Sequence, residues 1–352
     1  MVNTESFAPT TLAKEVLNSF ASHLKKDHDM EMQRGPNDEY FIEHAAFRVE
    51  FRLTSEGIRF GIRAPNESAL IFFKEEIAEH LAEVDPAAAR ELRWSGEASS
   101  AGDLPPNFHI LTVAKSEVLH TGLQRVIAHF PGLSNVLEEG IHLRVMLPKD
   151  LSRTPQWPRM AENGAPEWPT GDDTLHARFV TIADVDVDKE EVALDIVRHG
   201  DGLISQWAQM ARSGAQFGAM GPAGMSAFPA AEHYLLGADL TALPSLARLI
   251  PTLPDTATGD VVVDVSDDFP VENYLQGSRL SIHRVNQVKG NEAVLHEFFR
   301  VAELRKPDFA WFAGEFDTAQ DLRNYFKKKL GLGKGNQLSV AYWRRGHPGF
   351  GS

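Results

Sequence analysis

The stretch HYLLGADLTALPSLARLI, residues His233–Ile250, places a short apolar run directly before a segment whose leucines recur at helical spacing. A buried strand followed by an amphipathic helix is the repeating unit of doubly wound sheets. The alternation continues to the C-terminus. GDVVVDVSD and LSIHRV read as strands, NEAVLHEFFRVAEL as a helix, FAWFAGE as a strand, DTAQDLRNYFKKKLG as a helix and LSVAYW as a strand. A mostly parallel α/β domain is therefore expected over residues 230–352. Ligands of such sheets sit at the carboxyl ends of strands, which directs attention to Gly237, Gly314 and Glu315.

Upstream the rhythm changes. FHILTVAKSEVL, GLQRVIAHF, GIHLRVMLP, HARFVTIADV and EEVALDIVRH are short β-runs separated by turn-rich segments, the pattern of an antiparallel barrel, expected over residues 106–229. A proline-rich stretch, Lys149 to Asp173, interrupts these runs and is long enough to suggest a lid. The helix LISQWAQMARSG closes the region. Further toward the N-terminus, Leu12, Val16, Phe20 and Leu24 give a helix within TLAKEVLNSFASHLKKD, and FRVEFRL alternates as a strand. A second helix starts at Asn66, an N-cap with Glu67 in the first turn, and ends before Pro86. Residues 1–95 thus read as a small α+β domain, and Leu92 to Pro106 as a linker.

Composition narrows the chemistry. The chain has 352 residues, 43% hydrophobic and 24% charged, as in soluble multidomain proteins. No apolar run approaches the roughly 20 residues that span a bilayer, and the N-terminus lacks the basic and apolar regions of a secretory signal, so a cytoplasmic location is expected. There is no cysteine, which excludes disulfides, thiolate metal sites and iron–sulfur ligation. Redox chemistry would need a bound cofactor. The net charge of -14 argues against nucleic acid. Gln320 to Ser352 departs from that balance, with seven cations (Arg323, Lys327, Lys328, Lys329, Lys334, Arg344, Arg345) against Asp321. An anion could dock there, although lysines on a helix more often form a solvated face. Fourteen histidines occur without HExxH or another compact ligand spacing, so no metal ligand is assigned. GLGKGN, Gly331 to Asn336, lacks the features of a phosphate loop and reads as a turn.

HARFVTIADVD, DIVRHGDGLISQWA, GAMGPAG, HYLLGADLTALPSLARLI, LSIHRV, FAWFAGE and VAYWRRG, in that order, resemble the siderophore-interacting protein family, FAD-dependent ferric-siderophore reductases related to ferredoxin-NADP reductases. The resemblance covers about Phe108 to Gly346. It implies a flavin-binding barrel followed by a nucleotide-binding α/β domain, with FAD as cofactor and NADH or NADPH as electron donor. The family signature R-x-Y-T/S falls on Arg178, Phe179, Val180 and Thr181, implying that Arg178 meets the FAD pyrophosphate and Thr181 the flavin N5 region. Val197, His199, Leu203, Ile204 and Ser205 correspond to a second FAD element, in which a helix N-terminus faces the pyrophosphate. Gly237, Thr241, Ala242, Gly314, Glu315 and Trp343 correspond to the nucleotide side. Lys327, Arg344 and Arg345 are the implied contacts for a ferric siderophore or other anionic small molecule.

Such a protein positions reactants rather than forming covalent intermediates, so no residue is designated catalytic. Three positions depart from the family. Val180 stands where an aromatic ring is usual, and Ala183 and Ala223 where arginines are usual. They motivate an alternative, a divergent member with altered or lost flavin binding that acts on an organic substrate or binds an anionic ligand or partner. Residues 1–95 resemble a small domain of uncharacterised function sometimes found before this module.

Overall fold

The computed structural model describes residues 1–28, 31–36, 38–44, 47–95, 101–200, 202–285, 291–333 and 335–347. Asp201 of the HGDG segment and Lys334 of GLGKGN lie outside them. The chain forms two compact units, Met1–Phe108 with Pro148–Leu175, and His109–Leu147 with His176–Ser352.

The first unit contains β1 (Val2–Pro9), α1 (Ala13–His28), β2 (Gln33–Arg34), β3 (Glu39–His44), β4 (Phe47–Leu53), β5 (Gly57–Ala64), α2 (Glu67–Val84) and α3 (Pro86–Glu91). The strands form an antiparallel sheet in the order β1-β5-β4-β3-β2. Alternating residues of β4 and β5, among them Phe51, Ile58, Phe60 and Ile62, share a core with Val16, Phe20 and Leu24 of α1. Asn66 caps α2 as expected, accepting the Ala69 N–H at 2.9 Å. Pro86 begins α3, with Asp85 as its cap.

The segment read as a linker is partly core, since Leu92 and Trp94 are buried in this unit. The proline-rich stretch read as a lid packs onto the same unit, carrying the two-residue strands β9 (Arg159–Met160) and β10 (Pro166–Glu167), with β6 to β8 before it in the chain. Trp168 Nε1 donates to Glu75 Oε1 at 2.6 Å, and Trp94 Nε1 to the Asn163 carbonyl at 2.9 Å. Gly164, at φ +73°, lies so close to the Trp94 indole that a Cβ would fall 2.6 Å from it. The polar tips of the two tryptophans hold the segment, a use that composition does not reveal.

In the second unit β6 (Phe108–His120), β7 (Leu123–His129), β8 (His142–Pro148), β11 (Leu175–Asp186), β12 (Glu191–Val197) and β13 (Gln216–Ala223) close a barrel in the order β11-β12-β7-β6-β13-β8. Leu111, Val126, Leu143, Val145, Leu194 and Phe217 fill it, and α4 (Leu203–Met210) packs against them through Ile204 and Trp207. There follow β14 (His233–Asp239), α5 (Leu243–Leu249), β15 (Thr258–Asp264), α6 (Val271–Tyr274), β16 (Ser281–Val285), α7 (Asn291–Leu304), β17 (Phe309–Glu315), α8 (Phe316–Lys328) and β18 (Gln337–Trp343). All pairings in this second sheet are parallel, in the order β16-β15-β14-β17-β18. The chain winds outward from β14 to β16 and then resumes on the other side at β17. The switch point therefore lies between β14 and β17, where open α/β sheets bind ligands. Trp311 and Phe312 are core residues of this sheet, 3% and 1% exposed.

Candidate functional site

Two polar assemblies meet where β11 of the barrel faces the carboxyl ends of the parallel sheet. The first is a closed ring of four side chains. Thr181 Oγ1 on β11 lies 3.2 Å from His142 Nδ1 on β8, and His142 Nε2 lies 3.2 Å from the Tyr342 hydroxyl on β18. That hydroxyl is 3.0 Å from Ser245 Oγ on α5, which is 3.2 Å from Thr181 Oγ1. Gly224, at φ +88°, leaves room for the imidazole; a Cβ there would lie 2.7 Å from it.

Three hydroxyls and one neutral imidazole carry four protons for four hydrogen bonds, so each group can donate once and accept once. The ring closes in either sense, and reversing it exchanges the proton-bearing nitrogen of His142. An imidazolium would bring a fifth proton with no place in the ring. Consistently, burial pushes His142 down to about 4. Burial likewise raises Tyr342 above the usual phenol range and keeps its hydroxyl protonated.

The second assembly centres on Asp239, the last residue of β14. Its Oδ1 accepts from the Thr241 N–H at 2.8 Å, the Thr241 hydroxyl at 2.6 Å and the Ala242 N–H at 3.3 Å. Its Oδ2 accepts from Trp343 Nε1 at 2.7 Å. Gly314 passes so close that a Cβ would lie 2.7 Å from Oδ2. Burial raises the Asp239 carboxyl above the ordinary carboxylate range. Burial and then the Asp239 charge push its register partner Asp264 up to about 7. Next to Gly314, Glu315 Oε2 caps α8 by accepting from the Asp317 and Thr318 N–H groups at 2.7 and 3.3 Å, and its Oε1 accepts the Arg345 N–H at 3.3 Å.

Thr241, Ala242, Gly314, Glu315, Trp343 and Arg345 are thus brought together at the switch point. Gly237 is not. It lies inside β14, where a Cβ would fall 2.2 Å from the Phe298 ring, and the strand ends at Asp239 instead. Asp239, His142, Ser245 and Tyr342 were not among the residues singled out by sequence. The signal for Asp239 was its place at a strand end two residues before Thr241; Tyr342 lay within the VAYWRRG motif, but nothing in the sequence joined it to His142, 200 positions away.

Among the residues expected at the flavin, Phe179 is 44% exposed while Val180 packs against the barrel core, the opposed facing that a strand imposes. Arg178 is half-buried, donates Nη1 to the Ala177 carbonyl at 2.6 Å, and forms no ion pair with another described residue. Gly202 caps α4 without a side-chain hydrogen bond. His199 and Ser205 fold the loop before it, Ser205 Oγ accepting the His199 N–H at 2.9 Å and donating to its carbonyl at 3.0 Å. The Ser205 hydroxyl is thereby committed to the loop, and the N-cap of α4 gives its first-turn N–H groups no side-chain acceptor. Val197 pairs with Leu123 and packs against the core of the parallel sheet. In the basic C-terminal stretch Lys327 is exposed on α8, Arg344 stacks over Phe316 at 4.3 Å, and Arg323 donates to the Ser339 carbonyl at 2.7 Å.

Residues 112–226 match the model of the siderophore-interacting FAD-binding domain, and residues 231–346 that of the siderophore-interacting protein. The chain belongs to the siderophore-interacting protein family. Its relatives include the ferric vibriobactin reductase ViuB of Vibrio cholerae, 26% identical over 216 residues that make up 59% of this chain and 78% of ViuB. The NADPH-dependent ferric-chelate reductase of Escherichia coli is 26% identical over 246 residues, 67% of this chain and 92% of that one. In fold, the siderophore-interacting protein SipS of Aeromonas hydrophila superposes with a TM-score of 0.57 at 23% identity, over 68% of this chain and 93% of SipS. The barrel with its parallel sheet is therefore the family architecture. Among the described residues no helix is long and apolar enough to cross a membrane.

The residues present fit the anionic end of FAD. Arg178 keeps guanidinium N–H groups that no described side chain occupies, and the first turn of α4 presents backbone donors with a favourable dipole. Thr181 is held in the four-residue hydrogen-bond ring.

That ring has a pH signature. The unfolded chain binds a proton at His142 near pH 6.5, which the folded ring refuses until about 4. The stability contributed by a neutral His142 is thus fully present above pH 6.5 and is lost as the pH falls toward 4, by about 3 kcal/mol. Denaturant midpoints at pH 7.5 and 5.0 should differ more in the wild type than in His142→Gln. Equal differences would mean that the imidazole is not excluded from protonation.

Proposed function

We propose that this chain is an NAD(P)H-dependent, FAD-containing reductase that releases Fe(II) from ferric siderophores in the cytoplasm. The observation that carries this reading is the pairing of the family's FAD-binding domain with a parallel sheet whose switch point is organised around Asp239, Thr241, Gly314 and Trp343. The relatives named as ferric reductases support the substrate class. Bound FAD supplies the conversion of a two-electron hydride donor into single-electron transfers to Fe(III).

The chain's own groups bind and orient. Arg178 and the N–H groups of Leu203 and Ile204 hold the pyrophosphate. Thr241, Ala242, Gly314, Glu315 and Trp343 line the nicotinamide nucleotide. Thr181, whose proton is held in the ring, has one lone pair left to accept a hydrogen bond from the flavin, and reversal of the ring shifts protons among Thr181, His142, Tyr342 and Ser245 without charging the imidazole. Lys327, Arg344 and Arg345 draw in the anionic ferric complex, Arg344 with its guanidinium steadied on Phe316.

An absorbance spectrum of the purified protein before and after adding FAD tests the reading. The flavin bands are expected to persist after removal of free FAD, to bleach on mixing with NADH or NADPH, and to return on adding a ferric siderophore while a ferrous chelator takes up the product. No retained flavin at micromolar FAD overturns the proposal. Val180, Ala183 and Ala223 favour a second reading, a family member that binds an anionic ligand without flavin. Ligand-dependent thermal stabilisation without bleaching is its expected result.

A further inference from the structure

His23 on α1 and Glu76 and His80 on α2 place three metal-ligating atoms within 4.8 Å of one another. His23 Nε2 lies 3.8 Å from Glu76 Oε2, and His80 Nε2 lies 4.0 Å from the same oxygen. These separations are too long for hydrogen bonds. They are close to the edge of a coordination polyhedron, because ligands about 2.1 Å from one ion sit about 3.4 Å apart in a tetrahedral arrangement. Contraction of these two separations by about half an ångström would bring them to that edge length.

The surroundings favour ligation over simple ion pairing. Glu76 and His80 are one turn apart on the same helix face, and α1 brings His23 beside them, with the two imidazole centroids 4.8 Å apart. Two imidazolium rings at that distance would repel each other, whereas two neutral rings can share a cation. His80 turns its other nitrogen, Nδ1, toward Glu83 Oε2 at 3.3 Å and Ser19 Oγ at 3.4 Å. An outer carboxylate of this kind fixes the tautomer whose Nε2 lone pair points at the metal. The Phe20 ring, 4.4 Å from that of His80, closes one side, while the His23 and Glu76 side chains remain 30% and 29% exposed on the other.

We propose that His23, Glu76 and His80 form a binding site for a divalent first-row transition-metal ion, with solvent completing the coordination. Two imidazoles and one carboxylate suit Fe(II), Co(II), Ni(II) or Zn(II), and do not suit Mg(II) or Ca(II), which take oxygen ligands. Fe(II), the product in the function proposed above, falls in this class. The site stands independently of that function, because its ligands all belong to the first unit and its test uses neither flavin nor nicotinamide.

The full-length protein, stripped with a chelator, is titrated with Co(II). One equivalent is expected to bind with visible d–d absorption, to be displaced by Zn(II), and to be unaffected by excess Mg(II). His23→Asn and Glu76→Gln, at partly exposed positions, should each weaken Co(II) binding by at least about tenfold while the melting temperature of the metal-free protein is unchanged; Glu83→Gln should weaken it by about tenfold through loss of the outer carboxylate. In the unmodified protein the His23 and His80 imidazole resonances should be the first broadened by the paramagnetic ion, a readout that needs no variant. Absence of uptake at millimolar Co(II), affinity unchanged in both ligand variants, or broadening that begins at other histidines overturns the proposal.

Discussion

Replacing Arg125 with alanine is expected to destabilise the second unit by about 3–5 kcal/mol, the cost of leaving a buried charge without its partner. Arg125 on β7 binds Asp195 on β12 with both arms of its guanidinium, Nε to Oδ1 and Nη2 to Oδ2, each at 2.7 Å. The Asp195 side chain is fully buried, and its Oδ2 also accepts the Tyr274 hydroxyl from α6 at 2.5 Å. The cluster joins a cross-strand pair of the barrel to α6 of the α/β region. Burial, and then Asp195, hold Tyr274 above the usual phenol range, so the phenol remains a donor.

Removing Arg125 leaves the fully buried Asp195 carboxylate with one neutral donor. Guanidinium unfolding followed by circular dichroism measures the loss. The triple variant Arg125→Met/Asp195→Leu/Tyr274→Phe, which also removes the phenol that would lose its acceptor, should recover most of it, because a buried ion pair contributes little relative to apolar groups of similar volume. The exposed pair Lys189–Asp186 provides the contrast: Lys189→Ala should leave the midpoint where it is. Should Arg125→Ala unfold at the wild-type midpoint, solvent reaches Asp195 and the buried-pair argument fails.

What the sequence disclosed follows the range of the interactions involved. The alternation of β14 to β18 with their helices is local and was legible, as were five of the six barrel strands, the Asn66 cap and the ordered motifs of the family; β13, a run rich in glycine and alanine, did not read as a strand. Strand β1 was missed because VNTESFAP is a polar-rich run whose partner, β5, is about fifty residues away. The proline-rich segment was misread as a lid because the residues that fix it, Glu75, Ala89 and Trp94, belong to a part of the chain read as separate from it. At the candidate site the motifs pointed to strand ends that meet at the switch point but not to the polar groups gathered there. Asp239 was read past in favour of Gly237, although only the aspartate has a side chain that can gather three neighbouring segments. The His142–Thr181–Ser245–Tyr342 ring draws on four elements, and a hydrogen-bond circuit has no sequence period. The His23–Glu76–His80 cluster escaped because ligand spacing was sought along one segment, whereas the third ligand comes from another helix.

Arg178 is expected to behave in the opposite way to Arg125, and the contrast tests the proposed cofactor site. Both are barrel arginines, but Arg178 has no carboxylate partner among the described residues, and burial lowers its pKa, which means that the folded chain disfavours its charge. Removing that charge should therefore leave the flavin-free protein as stable as the wild type or slightly more so. FAD binding should suffer instead. A charged hydrogen bond contributes about 1.5–3 kcal/mol, so Arg178→Gln should weaken FAD by about ten- to a hundredfold, and Arg178→Lys should recover only part of the loss because an ammonium cannot reproduce the planar fork. Melting curves without flavin and FAD titrations followed by flavin fluorescence give the two halves of the test. A residue kept for ligand binding at some expense to the empty fold gives opposite signs in the two measurements. If Arg178→Gln lowers the melting temperature and leaves FAD affinity intact, Arg178 is a structural residue and the pyrophosphate must be bound elsewhere.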